Sequence, residues 1–158
     1  MSSQENHLNS VTRKKGLGRS SGATMAFCIL QKTDMSAEDM ATIVTAIGNH
    51  DEGTGVAVNP VAAALILADK SDVRRSRVRN QDETSFDIHD RVNYSVEESS
   101  LTINEEHTAV TLRLKIDPRY GSVMDYFEIF MARMLMCRKA ADYLGLAFKL
   151  VINDQPLI

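Results

Sequence analysis

The chain has 158 residues, 44% hydrophobic and 25% charged, with 18 Lys and Arg against 21 Asp and Glu and a formal net charge of -3. These values predict an ordinary globular protein large enough to bury a core, with no general electrostatic pull towards nucleic acid or anionic membrane. No apolar run reaches the roughly eighteen residues of a membrane span, and the polar N-terminus is no signal peptide. Cys28 and Cys137 lie in apolar helical patterns without metal-ligand spacing, so the expectation is a cytoplasmic protein with buried, reduced thiols.

Residues 1–19 are polar, carry the basic patch Arg13-Lys14-Lys15 and show no apolar periodicity, which reads as a flexible arm. Ser20 or Ser21 can cap a first helix whose apolar face is Ala23, Ala26, Phe27 and Leu30. Gln31 to Met35 interrupts it. Ser36-Ala37-Glu38-Asp39 resembles a capping box and opens a second helix that buries Met40, Ile43, Val44 and Ile47 and stops near Gly48. His50 and Asp51 then project from a helix end.

The Gly53-Thr54-Gly55 turn, with Asn59 as cap and Pro60 at the first helical position, predicts a return into a third helix. Val61 to Ala68 is apolar nearly all round, which predicts a central, buried helix. Val61, Leu65 and Asp69 are successive i, i+4 neighbours, so Asp69 falls on an apolar stripe. An ionised carboxylate there needs a counter-charge. Two partners are open. One is a divalent cation shared with His50, Asp51 or Glu52, a His and carboxylate set suited to such an ion. The other is an ion pair with Lys70 or one of the arginines that follow.

Beyond Asp69 comes the basic run Lys70, Arg74, Arg75, Arg77 and Arg79. It reads either as a phosphate-holding rim, since guanidinium groups grip phosphate oxygens in two-pronged fashion, or as a solvated face paired with Asp82, Glu83, Asp87 and Asp90. Ser85 to Tyr94 holds a second His-Asp pair, His89 and Asp90, and reads as a helix-start network or a connector. From Val96 the period becomes two: Leu101 and Ile103, then Val110, Leu112, Leu114 and Ile116, predict a hairpin with one buried face that Asp117-Pro118 ends. Ser122 to Leu144 predicts a long helix with an apolar stripe of Met124, Phe127, Met131, Met134, Leu135 and Ala141, terminated by Gly145. Ala147 to Ile152 predicts a last strand. The fold class is therefore α+β: an arm (1–19), a helical part (20–94) and a β-β-α-β unit (95–158) that holds no convergent cluster of His and carboxylates and reads as structural.

The strings AIGNHDEGTGVAVNPVAAALILADKSDVRRSRVR, IHDRVNY and YFEIFMARMLMCRKAADYLGLAFKLVIN resemble the HD-domain superfamily of metal-dependent phosphohydrolases, from about Gly18 to the end. The ADK at Ala68 to Lys70 is the most specific piece. The resemblance implies that Asp69 stands for the superfamily's last metal-binding aspartate, and His50 for the additional histidine that precedes the ADK segment and serves a second metal or substrate phosphate. It implies a divalent cofactor (Mn, Mg, Fe, Co and Zn are not distinguished), a phosphorylated small molecule or nucleotide as substrate, and hydrolysis by metal-activated water. The residues singled out are His50 and Asp51 for catalysis, His50 and Asp69 for the metal, and Lys70, Arg74 and Arg77 for phosphate. The early histidine and the His-Asp dyad of the superfamily would lie upstream of Ser20 and have no counterpart in residues 1–19. The expectation is therefore a truncated or impaired phosphohydrolase. Its alternatives are a non-catalytic nucleotide-binding or homo-oligomeric regulatory module on the same fold, or nucleic-acid binding through Arg13 to Lys15 and Arg74 to Arg79. A missing N-terminal layer would leave apolar faces of the first two helices uncovered, which predicts a homo-oligomer.

Overall fold

The structure, a computed structural model, describes residues 21–51, 55–80 and 85–158. The arm read at 1–19 lies outside the described residues, as does the Gly53-Thr54 part of the turn. The chain divides into two compact units, Met1–Leu65 and Ile66–Ile158. The boundary read from the sequence, after residue 94, falls within the second of these.

In the first unit, residues 21–30 form a helix, α1, and α2 runs Ala37–Gly48. The Ser36 hydroxyl caps α2, accepting from Asp39 N at 3.1 Å and donating to its carboxylate at 2.8 Å. α1 and α2 meet closely enough that a Cβ built on Gly22 would stand 3.6 Å from Ile47 Cγ2. Burial here is thinner than the apolar pattern predicts. Met40, Ile43, Val44 and Ile47 are half-buried, and the buried residue of α2 is the small Ala46. Phe27, expected on the inner face, is 48% exposed, and Cys28, expected to be buried, is exposed as well. Two short helices offer one contact line, so the residues flanking it stay wet.

α3, Pro60–Ser71, starts as expected: Asn59 Oδ1 accepts from Ala62 N at 2.7 Å, and Asn59 Nδ2 donates to Thr42 O of α2 at 3.3 Å. The helix is not buried all round. Ala62, Ala63, Ile66, Leu67, Lys70 and Ser71 are buried, whereas Val61, Ala64 and Ala68 are exposed. The alanines account for the misreading: they are apolar enough for either side, so composition does not tell which face turns inward.

The second unit holds the end of α3, a 3-10 turn at Arg75–Arg77, α4 (Ile88–Ser95), β1 (Val96–Ile103), β2 (Ala109–Ile116), α5 (Val123–Tyr143), β3 (Ala147–Ile152) and β4 (Gln155–Pro156). The α+β class is as read, with β4 as an addition. α4 begins at the Asp87 cap, which accepts from Asp90 N at 2.8 Å. The sheet order is β1-β2-β3-β4: β1 and β2 are antiparallel, β2 and β3 parallel, β3 and β4 antiparallel. A parallel pair needs a crossover, and α5 supplies it. Both its ends are well made. Ser122 and Asp125 form a full capping box, and Gly145, at φ 73°, closes the helix with Leu146 N donating to Ala141 O and Gly145 N to Asp142 O. The β3–β4 link is a two-residue turn with both Asn153 and Asp154 at positive φ, the geometry that suits the twist of a hairpin. The Asn153 side chain reaches back to the end of β2, accepting from Ile116 N at 2.8 Å and donating to Ile116 O at 3.1 Å.

The core joins the buried face of β2 (Val110, Leu112, Leu114, Ile116) and of β3 (Phe148, Leu150, Ile152) to Tyr126, Phe130, Met134, Cys137 and Ala141 of α5. β1 is an edge strand, so Leu101 is half-buried and Ile103 is 55% exposed. Burial pushes the Cys137 thiol up to about 12, an inert thiol in the native state.

Candidate functional site

His50 follows the end of α2, where the chain leaves the helix but has not yet escaped its last carbonyls. Its Nδ1 lies 2.7 Å from Ile47 O. A carbonyl only accepts, so Nδ1 carries the proton and Nε2 the lone pair. A backbone carbonyl on one ring nitrogen is the arrangement that orients a ligating histidine. Asp51 beside it is half-buried. Both belong to the first unit, whereas Asp69 belongs to the second.

At Asp69 the local outcome is the ion pair. Lys70 Nζ donates to Asp69 Oδ2 at 2.6 Å, and the side chains are 4% and 39% exposed respectively. The residue taken out of water is thus the lysine, whose stem fills apolar space while its head meets the carboxylate at the edge. Arg74 and Arg77 share Asp72: Arg74 Nε lies 2.8 Å from Oδ1 and Arg77 Nη1 3.2 Å from Oδ2. Both arginines remain more than half exposed. Asp72, two residues from Arg74 and five from Arg77, is not among the partners read from the sequence.

Among the arginines of the basic run, the one that the fold takes inward is Arg75. Its Nε donates to Tyr94 O at 2.8 Å, and its guanidinium lies 4.4 Å from the Tyr94 ring centroid and 5.2 Å from that of Tyr120. Nη2 is shut off from solvent and makes no hydrogen bond among the described residues; Asp117 Oδ2 stands 3.5 Å from it. Asp117 is 5% exposed and is gripped by Arg119, whose Nε and Nη2 donate at 3.0 Å and 2.7 Å and whose backbone N donates at 3.0 Å. Those Arg119 hydrogen bonds, outweighing desolvation and aided by the charges of Arg119 and Arg75, hold the Asp117 carboxyl down at about 2. The cluster joins the 3-10 turn, α4 and the β2–α5 loop. Sequence reading used Asp117-Pro118 only as a strand end; the Arg119-Tyr120 pair that directly follows was the signal available.

Next to this cluster a polar hollow of about 610 Å³ is lined by Arg113, Lys115 and Arg119 together with Glu97, Glu98 and Asp154. Lys115 already spans to Glu97 at 3.4 Å and Glu98 at 3.8 Å. Asp117 lines the hollow as well, so three cationic side chains face four carboxylates and it offers no net positive field for an anion. Among the described residues no three His, Cys, Asp or Glu side chains come together to hold a metal ion. His107, exposed at φ 53° in the β1–β2 turn, stands apart from the acidic and basic groups above. Among the described residues no helix is long and apolar enough to cross a membrane.

No family model matches the chain, and no curated protein or solved structure matches it.

Proposed function

We propose that the chain is an HD-superfamily-like protein that takes a phosphate ester or nucleotide as its ligand and hydrolyses it poorly or not at all as it stands. The observation that carries this is the state of His50: its Nδ1–H is committed to Ile47 O, which leaves Nε2 as a ready donor on a helix end. Supporting it are the ADK segment, the half-exposed carboxylate of Asp69 at the end of α3, and the exposed guanidinium groups of Arg74 and Arg77. A divalent ion fits the chemistry of His50 and Asp69 but not their number. Two protein donors are too few for a tight site, and no triad is present among the described residues. Among the described residues, hydrolysis by metal-activated water therefore has no complete set of ligands to run on. The same shortfall favours a second reading, a non-catalytic module that binds a nucleotide without turning it over.

The test is Mn(II) titration by calorimetry, with phosphodiesterase and nucleotidase assays, on wild type, His50→Ala and Asp69→Asn. Asparagine is the better probe at position 69, because it removes the charge but keeps a side-chain oxygen facing the buried Lys70 ammonium, whereas alanine keeps none. Weak Mn(II) binding that falls about 10- to 100-fold in either variant supports the reading. Robust metal-dependent turnover lost on Asp69→Asn would show that further ligands complete the site. No metal binding in any form, with nucleotide binding retained, would leave the non-catalytic module.

A further inference from the structure

α5 has two apolar faces. One is the buried set Tyr126, Phe130, Met134, Cys137 and Ala141. The other is exposed: Met124 at 75%, Met131 at 46% and Leu135 at 42%, with Tyr143 at 49% near the end. At about 100° per residue, Met124, Met131 and Leu135 fall within about 40° of one another, about 120° round the helix from the centre of the buried face. Glu128 and Lys139 flank this stripe on one side, and Phe127 and Arg138 on the other.

We propose that the exposed stripe is the seam of an antiparallel homodimer, α5 packed on α5 of a second copy about a twofold axis level with Arg133. The flanks are self-complementary in that orientation, while Asp142, which falls on the stripe itself, faces Met124 of the second copy at the seam's ends. A twofold axis across two antiparallel helices keeps each flank on its own side and reverses the order along the helix. Met131 then meets Leu135 of the second copy, Glu128 meets Lys139, and Phe127 meets Arg138. The charges agree: Glu128 lies in the N-terminal half, and Arg138 and Lys139 in the C-terminal half, so antiparallel pairing sets opposite signs together while parallel pairing sets like signs together. An arginine over a phenyl ring is already used on this helix, with the Arg133 guanidinium 4.7 Å from the Phe130 centroid.

The area decides the strength. A helix of 21 residues is about 31 Å long, and one of its faces covers less than the roughly 800 Å² per partner of a standard stable interface. An interface of that size belongs with the weak, transient ones. This seam differs from the faces of α1 and α2 to which the sequence assigned self-association, and it does not rest on the phosphohydrolase reading.

Sedimentation equilibrium of the full chain between about 1 and 200 μM gives a monomer–dimer equilibrium with a dissociation constant in the micromolar range. Leu135→Glu weakens the dimer at least about tenfold, because it buries a carboxylate at the axis. Glu128→Lys and Lys139→Glu each weaken it by about three- to tenfold, and the double exchange restores the wild-type constant. The charge variants lie on exposed positions, so they keep the test alive should Leu135→Glu fail to fold, as far-UV circular dichroism would show. A wild-type chain that stays monomeric at the highest concentration overturns the proposal, as does a dimer indifferent to Leu135→Glu. Additive weakening in the double exchange overturns the antiparallel register and with it the seam.

Discussion

Asp69 and Lys70 are neighbours in sequence, yet one side chain is 39% exposed and the other 4%. A charge on an apolar helix draws attention to itself, but which of two adjacent charges is desolvated depends on a turn of about 100° about the helix axis, and on a four-carbon stem that carries its head group inward with it. The same scale governs Asp117. Its carboxyl is held at about 2 by hydrogen bonds from Arg119, and so below its ordinary value near 3.9. A carboxylate depressed in the folded state stabilises the fold fully above its unfolded value and loses that contribution as the pH falls through the folded one. Urea unfolding of the wild type should therefore weaken between about pH 4 and pH 2. Asp117→Asn should lie below wild type at pH 7 and converge with it towards pH 2, whereas a constant gap between the two curves would count against the Arg119 clamp as its cause.

At the scale of elements, α5 carries the fold of the second unit, and its N-terminus is the place to test this. The Ser122 hydroxyl accepts from Asp125 N at 3.1 Å, and the Asp125 carboxylate accepts from Ser122 N at 2.8 Å. Hydrogen bonds to the carboxylate from the Ser122 backbone N–H, and next from its side chain, lower the Asp125 carboxyl below the usual carboxylate range. Ser122→Ala should cost about 1 kcal/mol in denaturant unfolding, and Ser122→Thr should restore most of it. A loss near zero would mean that packing of Tyr126 and Phe130 alone fixes where the helix begins. The element-level reading of the sequence held well here because caps are local: Ser36, Asn59, Asp87 and Ser122 each bond an amide two to three residues on. It held less well for burial, where the stripe Met124, Met131 and Leu135 had been grouped with Met134 and Ala141, which the fold places on the buried face.

For the whole molecule, the two units differ in how much they bury. Ala46 is the buried residue of α2, whereas the sheet and α5 share a set of large side chains at or below 3% exposure, from Leu112 and Leu150 to Phe130. Opening free energies should follow that difference. Amide exchange should be slowest in β2, which is paired on both sides, and in the buried turns of α5, and faster by several orders of magnitude in residues 21–30 and in β4. Uniform protection across α1 and β2 would show one cooperative unit instead.

What the sequence determined by itself is what depends on near neighbours: the capped helix starts, the change of period at Val96, the Gly145 stop and the β-β-α-β order. Hydrogen bonds within four residues and side-chain alternation write these directly into the chain. Only the tertiary structure decided which apolar face turns inward on α3 and α5, that Lys70 and not Asp69 is buried, and that Arg75, among several arginines of one run, joins Tyr94, Tyr120 and Asp117. These contacts bridge 19 to 45 residues of chain. No local pattern marks one arginine from the next, and the choice follows from the position to which the sheet and α4 bring the two tyrosines and the aspartate.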